Sequence, residues 1–204
     1  DEDRVLYFVM ELVHGPTLRQ YLKARRERGA GLEGTLQFGL NILRGLSAAH
    51  QLGVVHRDLK PGNVLIDESK SRRYFARLFD FGIASLTGSG GHTTAMGAGG
   101  VVGTPKYMAP EQWRAQQTAP CTDVYAFGAI LAEMLSGKPP VPKADLVDMA
   151  TAHCRNPRPN IVATPRGESV PRALTNFVKK CMAIDPRQRY SNAREALQVL
   201  EAII

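Results

Sequence analysis

Long apolar runs are missing from this sequence. No stretch of its 204 residues approaches the roughly 18 consecutive apolar side chains of a membrane helix, so no membrane segment is expected. Cysteine is scarce: Cys121, Cys154 and Cys181 are odd in number and widely spaced. That fits three buried free thiols in a reducing compartment better than a disulfide framework. The five histidines stand at no metal-ligand spacing with each other or with the cysteines. Aromatic residues are not interleaved with the basic ones, although the formal net charge is +7. Clusters such as Lys23-Ala24-Arg25-Arg26 and Arg72-Arg73 therefore read as solvated surface that favours anions, phosphates included, and no nucleic-acid partner is expected. An initiator methionine and a signal peptide are lacking too. The polar Asp1-Glu2-Asp3-Arg4 leads straight into an apolar run, as though the sequence were cut from something longer.

What is present is an ordinary globular balance, 44% hydrophobic and 22% charged, enough for one domain. Arg4 to Val13 is rich in β-formers and predicts a buried strand, ended by Gly15-Pro16. Thr17 can cap a helix through Tyr21 and beyond, and Gly29 to Gly34 reads as a break. From Thr35 to His50, Leu36, Leu40, Leu43 and Leu46 mark one helical face. Short β-like pieces follow at Gly53 to His56, Asn63 to Asp67 and Tyr74 to Phe79. Leu86 to Gly103, dominated by glycine, serine and threonine, predicts a long loop. Helical faces return with Val124, Phe127, Leu131 and Leu135, stopped by Gly137 and Pro139-Pro140. A helix over Asp145 to Arg155 follows. Two more carry the faces Leu174, Phe177, Val178, Cys181 and Ala193, Leu197, Leu200, Ile204. The expected class is mainly α with small β elements, and no internal repeat is present.

The densest chemical signal is His56-Arg57-Asp58-Leu59-Lys60-Pro61-Gly62-Asn63, followed seventeen residues after Asn63 by Asp80-Phe81-Gly82 and then by Ala109-Pro110-Glu111. Any one tripeptide arises by chance; the ordered set does not. It resembles the eukaryotic-type serine/threonine protein kinases, whose catalytic loop H-R-D-x-x-x-x-N precedes D-F-G and A-P-E. The phrases around Asp80 and Ala109 resemble bacterial members. The resemblance covers nearly the whole chain and implies the helical C-lobe of the α+β kinase fold. Residues 1–13 would be the last strand of the small β-rich N-lobe and the hinge, and 14–204 the C-lobe with an activation segment at 80–111.

Phosphoryl transfer asks for positioning and charge neutralisation. The resemblance gives Asp58 the proton of the attacking hydroxyl and Lys60 the charge on the transferred group. Asn63 and Asp80 would hold Mg2+ (or Mn2+), since oxygen donors suit a hard cation. Lys60, two residues after Asp58, marks kinases of serine and threonine, and Thr104 matches the residue set against that pair. ATP would lie along the hinge, with Met10 as gatekeeper, the Glu11 carbonyl and Val13 backbone facing adenine, Leu65 as floor and Thr17 reaching the ribose. Core packing stays open for Met10 and Leu65, as does helix capping for Thr17.

By the same resemblance His56 and Phe81 stack inside the lobe, Glu111 pairs with Arg189, and Asp123 holds the catalytic-loop backbone. Arg57 marks members switched by activation-loop phosphorylation. Thr93 and Thr94 are the first candidates, ahead of Ser85, Thr87 and Ser89, with plain solvated linker the alternative.

The family's glycine-rich loop, strand lysine and helix glutamate all precede the hinge, and Gly97 and Gly99 are a decoy that follows Asp80. The expected function is thus a kinase fragment that needs the missing N-lobe for full activity, acting on protein substrates. The hinge strand, left as an edge, would be prone to self-association. A cytoplasmic location, as such or as part of a longer membrane-anchored protein, is expected. The competing reading is a pseudokinase-like scaffold that binds proteins without chemistry.

Overall fold

The structure, a computed structural model, describes residues 9, 11–25, 28–67, 75–81, 105–141 and 145–204. Among them helices dominate, and a two-stranded antiparallel sheet is the only sheet. This is the mainly α class with small β elements that the sequence predicts.

Helix α1 (Leu18–Ala24) opens on a reciprocal cap. Thr17 Oγ1 accepts from the Gln20 N–H at 3.2 Å, and Gln20 Oε1 accepts from the Thr17 N–H at 2.7 Å. Helix α2 (Gly31–Gln51) begins inside the glycine-rich stretch that the sequence marks as a break. The cause is steric. At Gly29, where φ is +53°, a Cβ would stand 2.9 Å from the Met134 carbonyl oxygen, so only glycine lets the chain turn this close to its neighbour. Leu40, Leu43 and Leu46 are buried as their spacing predicts, with Leu36 packed alongside, and Phe38 and Ile42 widen the face.

Strands β1 (Val64–Ile66) and β2 (Ala76–Leu78) pair with Leu65 opposite Arg77. The segment before α1 lies on the other side of β1: the Ile66 N–H donates to the Pro16 carbonyl at 2.9 Å, and Thr17 bridges Leu65. Gly53 to His56, expected to be β-like, forms no strand. Its last amide is taken by a carboxylate instead, as described below.

Helices α3 (Pro110–Trp113), α4 (Pro120–Ser136), α5 (Leu146–Arg155), α6 (Arg172–Cys181) and α7 (Ala193–Ile203) complete the described architecture. α4 is the centre. Val124, Phe127, Leu131 and Leu135 are fully buried, and so are Tyr125, Ile130 and Met134 on its other faces. α2, α6 and α7 pack around it, and Gly137, at φ +71°, ends it in the left-handed conformation. Gly128 faces α6, where a Cβ would meet Cys181 Cβ at 2.6 Å. The α6 face of Leu174, Phe177, Val178 and Cys181 is buried as read. On α7 the buried positions are Ala193, Ala196 and Leu200; Ile204 lies past the helix end and is exposed, so it leaves the predicted face. The three cysteines are free thiols, but only Cys181 is buried; Cys121 and Cys154 are half-buried.

The strand expected over 4–13 falls outside the described residues except for Val9 and Glu11 to Val13, which carry no strand. The loop expected over 86–103 lies outside them entirely. No described helix is long and apolar enough to cross a membrane.

Candidate active site

The segment between α2 and β1 is held by its backbone. Asp123, buried in the first turn of α4, takes the His56 N–H on Oδ2 at 2.7 Å and the Arg57 N–H on Oδ1 at 2.8 Å. On the other side, Gln112 Nε2 donates to the Arg57 carbonyl at 2.8 Å, while its Oε1 accepts from the Ala109 N–H at 2.9 Å. Arg57 is thus gripped at both its amide and its carbonyl. That grip holds it at φ +66°, a conformation that costs a non-glycine residue of order 1–3 kcal/mol.

A third bond reaches Asp123 from α2: His50 Nε2 lies 2.9 Å from Oδ2. The other ring nitrogen, Nδ1, accepts the Ala193 N–H at the start of α7 at 3.2 Å. An imidazole that accepts at Nδ1 carries its proton on Nε2, so His50 donates to Asp123. His56 lies fully buried beside Phe81, ring centroids 4.8 Å apart, and its Nε2 points at the Phe79 carbonyl at 3.2 Å. This ring is packed rather than open to a substrate.

The Asp58 N–H turns back to the His56 carbonyl at 2.9 Å, Leu59 is buried, and Lys60 is extended, so that the Asp58 and Lys60 side chains meet. Lys60 Nζ donates to Asp58 Oδ2, and the Asp58 side chain stays about one-third exposed, at 36%. The turn Pro61–Asn63 follows, and buried Asn63 donates from Nδ2 to the Asp58 carbonyl at 3.0 Å. With its nitrogen committed, what Asn63 offers a ligand is its oxygen. The Phe79 N–H donates to the Asn63 carbonyl at 3.2 Å, which brings the next residue, Asp80, to the same place. Asp80 is exposed and sits at φ +62°. An amide oxygen beside a carboxylate is a hard donor set, and it fits magnesium or manganese.

Behind this lies a buried ion pair. Arg189 Nη1 and Nη2 donate to Glu111 Oε1 and Oε2, both at 2.8 Å. The remaining guanidinium N–H groups go to the carbonyls of Cys121, Ile184 and Ala183 at 3.1, 3.2 and 2.7 Å. Thr122 Oγ1 adds a bond to Glu111 Oε1 at 2.8 Å. All five donors of Arg189 are satisfied.

On the hinge side Glu11 pairs through its carboxylate with Arg77 on β2. Arg77 Nε in turn reaches Asp67 at 3.1 Å. Val13 and Leu65 are half-buried. The Thr17 hydroxyl serves the α1 cap, so the capping role that the sequence left open is the one the geometry displays. Met10, Gly82, Ser85, Thr87, Ser89, Thr93, Thr94 and Thr104 lie outside the described residues.

The sequence reading missed two braces, His50 and Gln112. Gln112 stood one residue past a recognised motif, with a side chain able to donate and accept at once. His50 had no signal beyond its place in the last turn of a helix.

The protein kinase domain model matches residues 1–200. The chain is 36% identical over 199 residues to the Bifidobacterium longum protein named "Probable serine/threonine-protein kinase PknB", 96% of this chain and 27% of that protein. It is 34% identical to serine/threonine-protein kinase PrkC of Bacillus subtilis over 195 residues, 96% of this chain and 28% of that one. Serine/threonine-protein kinase pkn3 of Myxococcus xanthus is also 34% identical, over 99% of this chain and 37% of its own length. The chain therefore spans between about a quarter and two-fifths of these relatives. With the kinase domain model matching residues 1–200 and bacterial serine/threonine kinases matching along nearly its whole length, the chain belongs to the protein kinase domain family.

Proposed function

We propose that this chain carries the C-lobe chemistry of a protein serine/threonine kinase, moving the γ-phosphoryl group of ATP to hydroxyls of protein substrates. The observation that carries this reading is the Asp58–Lys60 pair, projecting side by side from a backbone that Asp123 and Gln112 fix. In the reaction the substrate oxygen forms a bond to the γ-phosphorus as the bond to the β-phosphate oxygen breaks. Asp58 orients the hydroxyl and receives its proton; ADP leaves with the bonding pair. Lys60 sits beside that carboxylate, where its ammonium meets the charge on the transferred group. Asn63 and Asp80 would hold Mg2+ or Mn2+, whose charge neutralises the phosphates.

In this reading residues 1–13 are hinge and strand, 80–111 the activation segment, and an N-lobe of the same kinase completes the phosphate clamp. Adenine would meet the backbone at Glu11 and Val13 and the side chain of Leu65. Thr93 or Thr94 would take a regulatory phosphate, with Arg57 as its partner.

The test is phosphotransfer by the full-length protein, given ATP, Mg2+ and a generic protein substrate, with the products read by mass spectrometry. Phosphoserine or phosphothreonine is expected, reduced by about 10²- to 10⁴-fold in Asp58→Asn. The same digest should carry phosphate on Thr93 or Thr94. Phosphotransfer unaffected by Asp58→Asn would sink the assignment, and a protein that binds partners without any transfer would be the scaffold instead.

A further inference from the structure

A cavity of about 600 Å³ opens between α1, the Pro61–Asn63 turn and the Pro105–Tyr107 turn, with Lys60 on its wall. It therefore adjoins the place where a substrate hydroxyl would meet Asp58. Among the described residues its charged lining is lopsided: Arg19, Lys23, Lys60 and Lys106 face a single carboxylate, Glu133. Arg19 and Lys23 are four residues apart on α1, so they share one helix face, while buried Leu18 and Leu22 on the adjoining face anchor the helix. Arg19 and Lys23 are exposed and able to reach a ligand, with Leu22 of the adjoining face on the cavity wall between them.

The lone carboxylate already has partners inside the protein. Tyr107 donates its hydroxyl to Glu133 Oε2 at 2.6 Å. Burial pushes the Glu133 carboxyl up, against the pull of the Tyr107 hydroxyl and of Lys106 and Arg19 nearby. An incoming lysine or arginine would be repelled by these two cations as well as by Lys23 and Lys60. An incoming aspartate or glutamate would meet four cations against one carboxylate.

We propose that this cavity selects acidic peptide segments, taking aspartate or glutamate side chains close to the phosphoacceptor on Arg19, Lys23 and Lys106. The inference rests on the kinase reading above for its setting, and it adds a substrate class to it.

The test is fluorescence anisotropy of labelled serine peptides on the full-length protein, in three versions flanked by Glu, by Gln or by Lys. Binding is read without turnover. The Glu peptide should bind about tenfold tighter than the Gln peptide at low salt, and the Lys peptide weaker than either, with the gap closing as salt rises. Arg19→Gln with Lys23→Gln should weaken the Glu peptide by about fivefold and leave the Gln peptide unchanged. Arg172→Gln with Arg194→Gln removes the same charge from outside the cavity and should change neither. Equal binding of the Glu and Gln peptides, or an equal loss in the control pair, would overturn the inference. Loss of all phosphotransfer with the discrimination intact would instead count against the kinase reading and leave this site standing.

Discussion

Replacing Arg189 by alanine would strip Glu111 of both guanidinium bonds and leave the hydroxyl of Thr122 as its partner at the ion-pair site. The carboxylate is buried, with 4% of its side chain exposed, so water cannot take the vacated places. Breaking a buried pair by removing one partner costs about 3–5 kcal/mol. Arg189 also satisfies the carbonyls of Ala183, Cys121 and Ile184, which puts the expectation at the upper end of that range. Set against a domain stability of roughly 5–15 kcal/mol, the single variant should be unfolded or nearly so at 37 °C. Removing both charges together tells a different story. Glu111→Leu with Arg189→Met leaves no buried charge, and Thr122 keeps the Ala119 N–H at 3.1 Å as a partner. That double variant still leaves the carbonyls of Ala183, Cys121 and Ile184 without the guanidinium, so it should cost stability but clearly less than the two single variants summed. Denaturant titrations of the four proteins close the cycle. If Arg189→Ala cost under about 1 kcal/mol, or the double variant lost the full sum of the singles, the account of this pair as a mutually dependent buried unit would fail.

Two further outcomes follow from packing and protonation. Burial, with Arg158 nearby, lowers the His153 pKa to about 4 from an ordinary 6.5. The unfolded chain then binds the extra proton between pH 6.5 and 4. Stability on the order of 3 kcal/mol is present above pH 6.5 and lost as pH falls through that window. His153→Gln should flatten this part of the stability–pH profile, and a slope unchanged by the substitution would exclude His153 as its source. Gly128→Ala would force its Cβ against Cys181 Cβ and against Met182 Cγ, at 2.6 and 2.9 Å, and so push α4 off α6. A loss of about 1–3 kcal/mol in denaturant unfolding is expected, whereas a neutral result would mean that the two helices yield freely.

Periodicity carried most of the helical layout. The faces of α4 and α6 were legible because Val124, Phe127, Leu131, Leu174 and Phe177 recur at helical steps. Periodicity failed where glycine serves two purposes. Gly31 and Gly34 look like a break, yet both are buried inside α2, because that helix begins against the end of α4. It failed again at Gly53 to His56, whose amides look free to pair with a strand until Asp123 claims the last of them. At the site, Asp58, Lys60, Asn63 and Asp80 were legible as a motif. What a one-dimensional reading could not supply was the bracing by His50 and Gln112, which lie 73 positions before Asp123 and 55 positions after Arg57. Contacts of that sequence separation leave no local pattern.

The imidazole of His50 has a reach beyond its own bonds. One nitrogen receives the first amide of α7 and the other steadies the carboxylate that pins His56 and Arg57. Fraying the last helix would release the ring to rotate, and a rotated ring withdraws a donor from Asp123. The rigidity of the loop at His56 and Arg57 is thus partly borrowed from α7. Any event that docks or peels that helix, including a neighbour's grip on its exposed side, has a route of three hydrogen bonds, through His50 and Asp123, to the backbone of Arg57 beside Asp58.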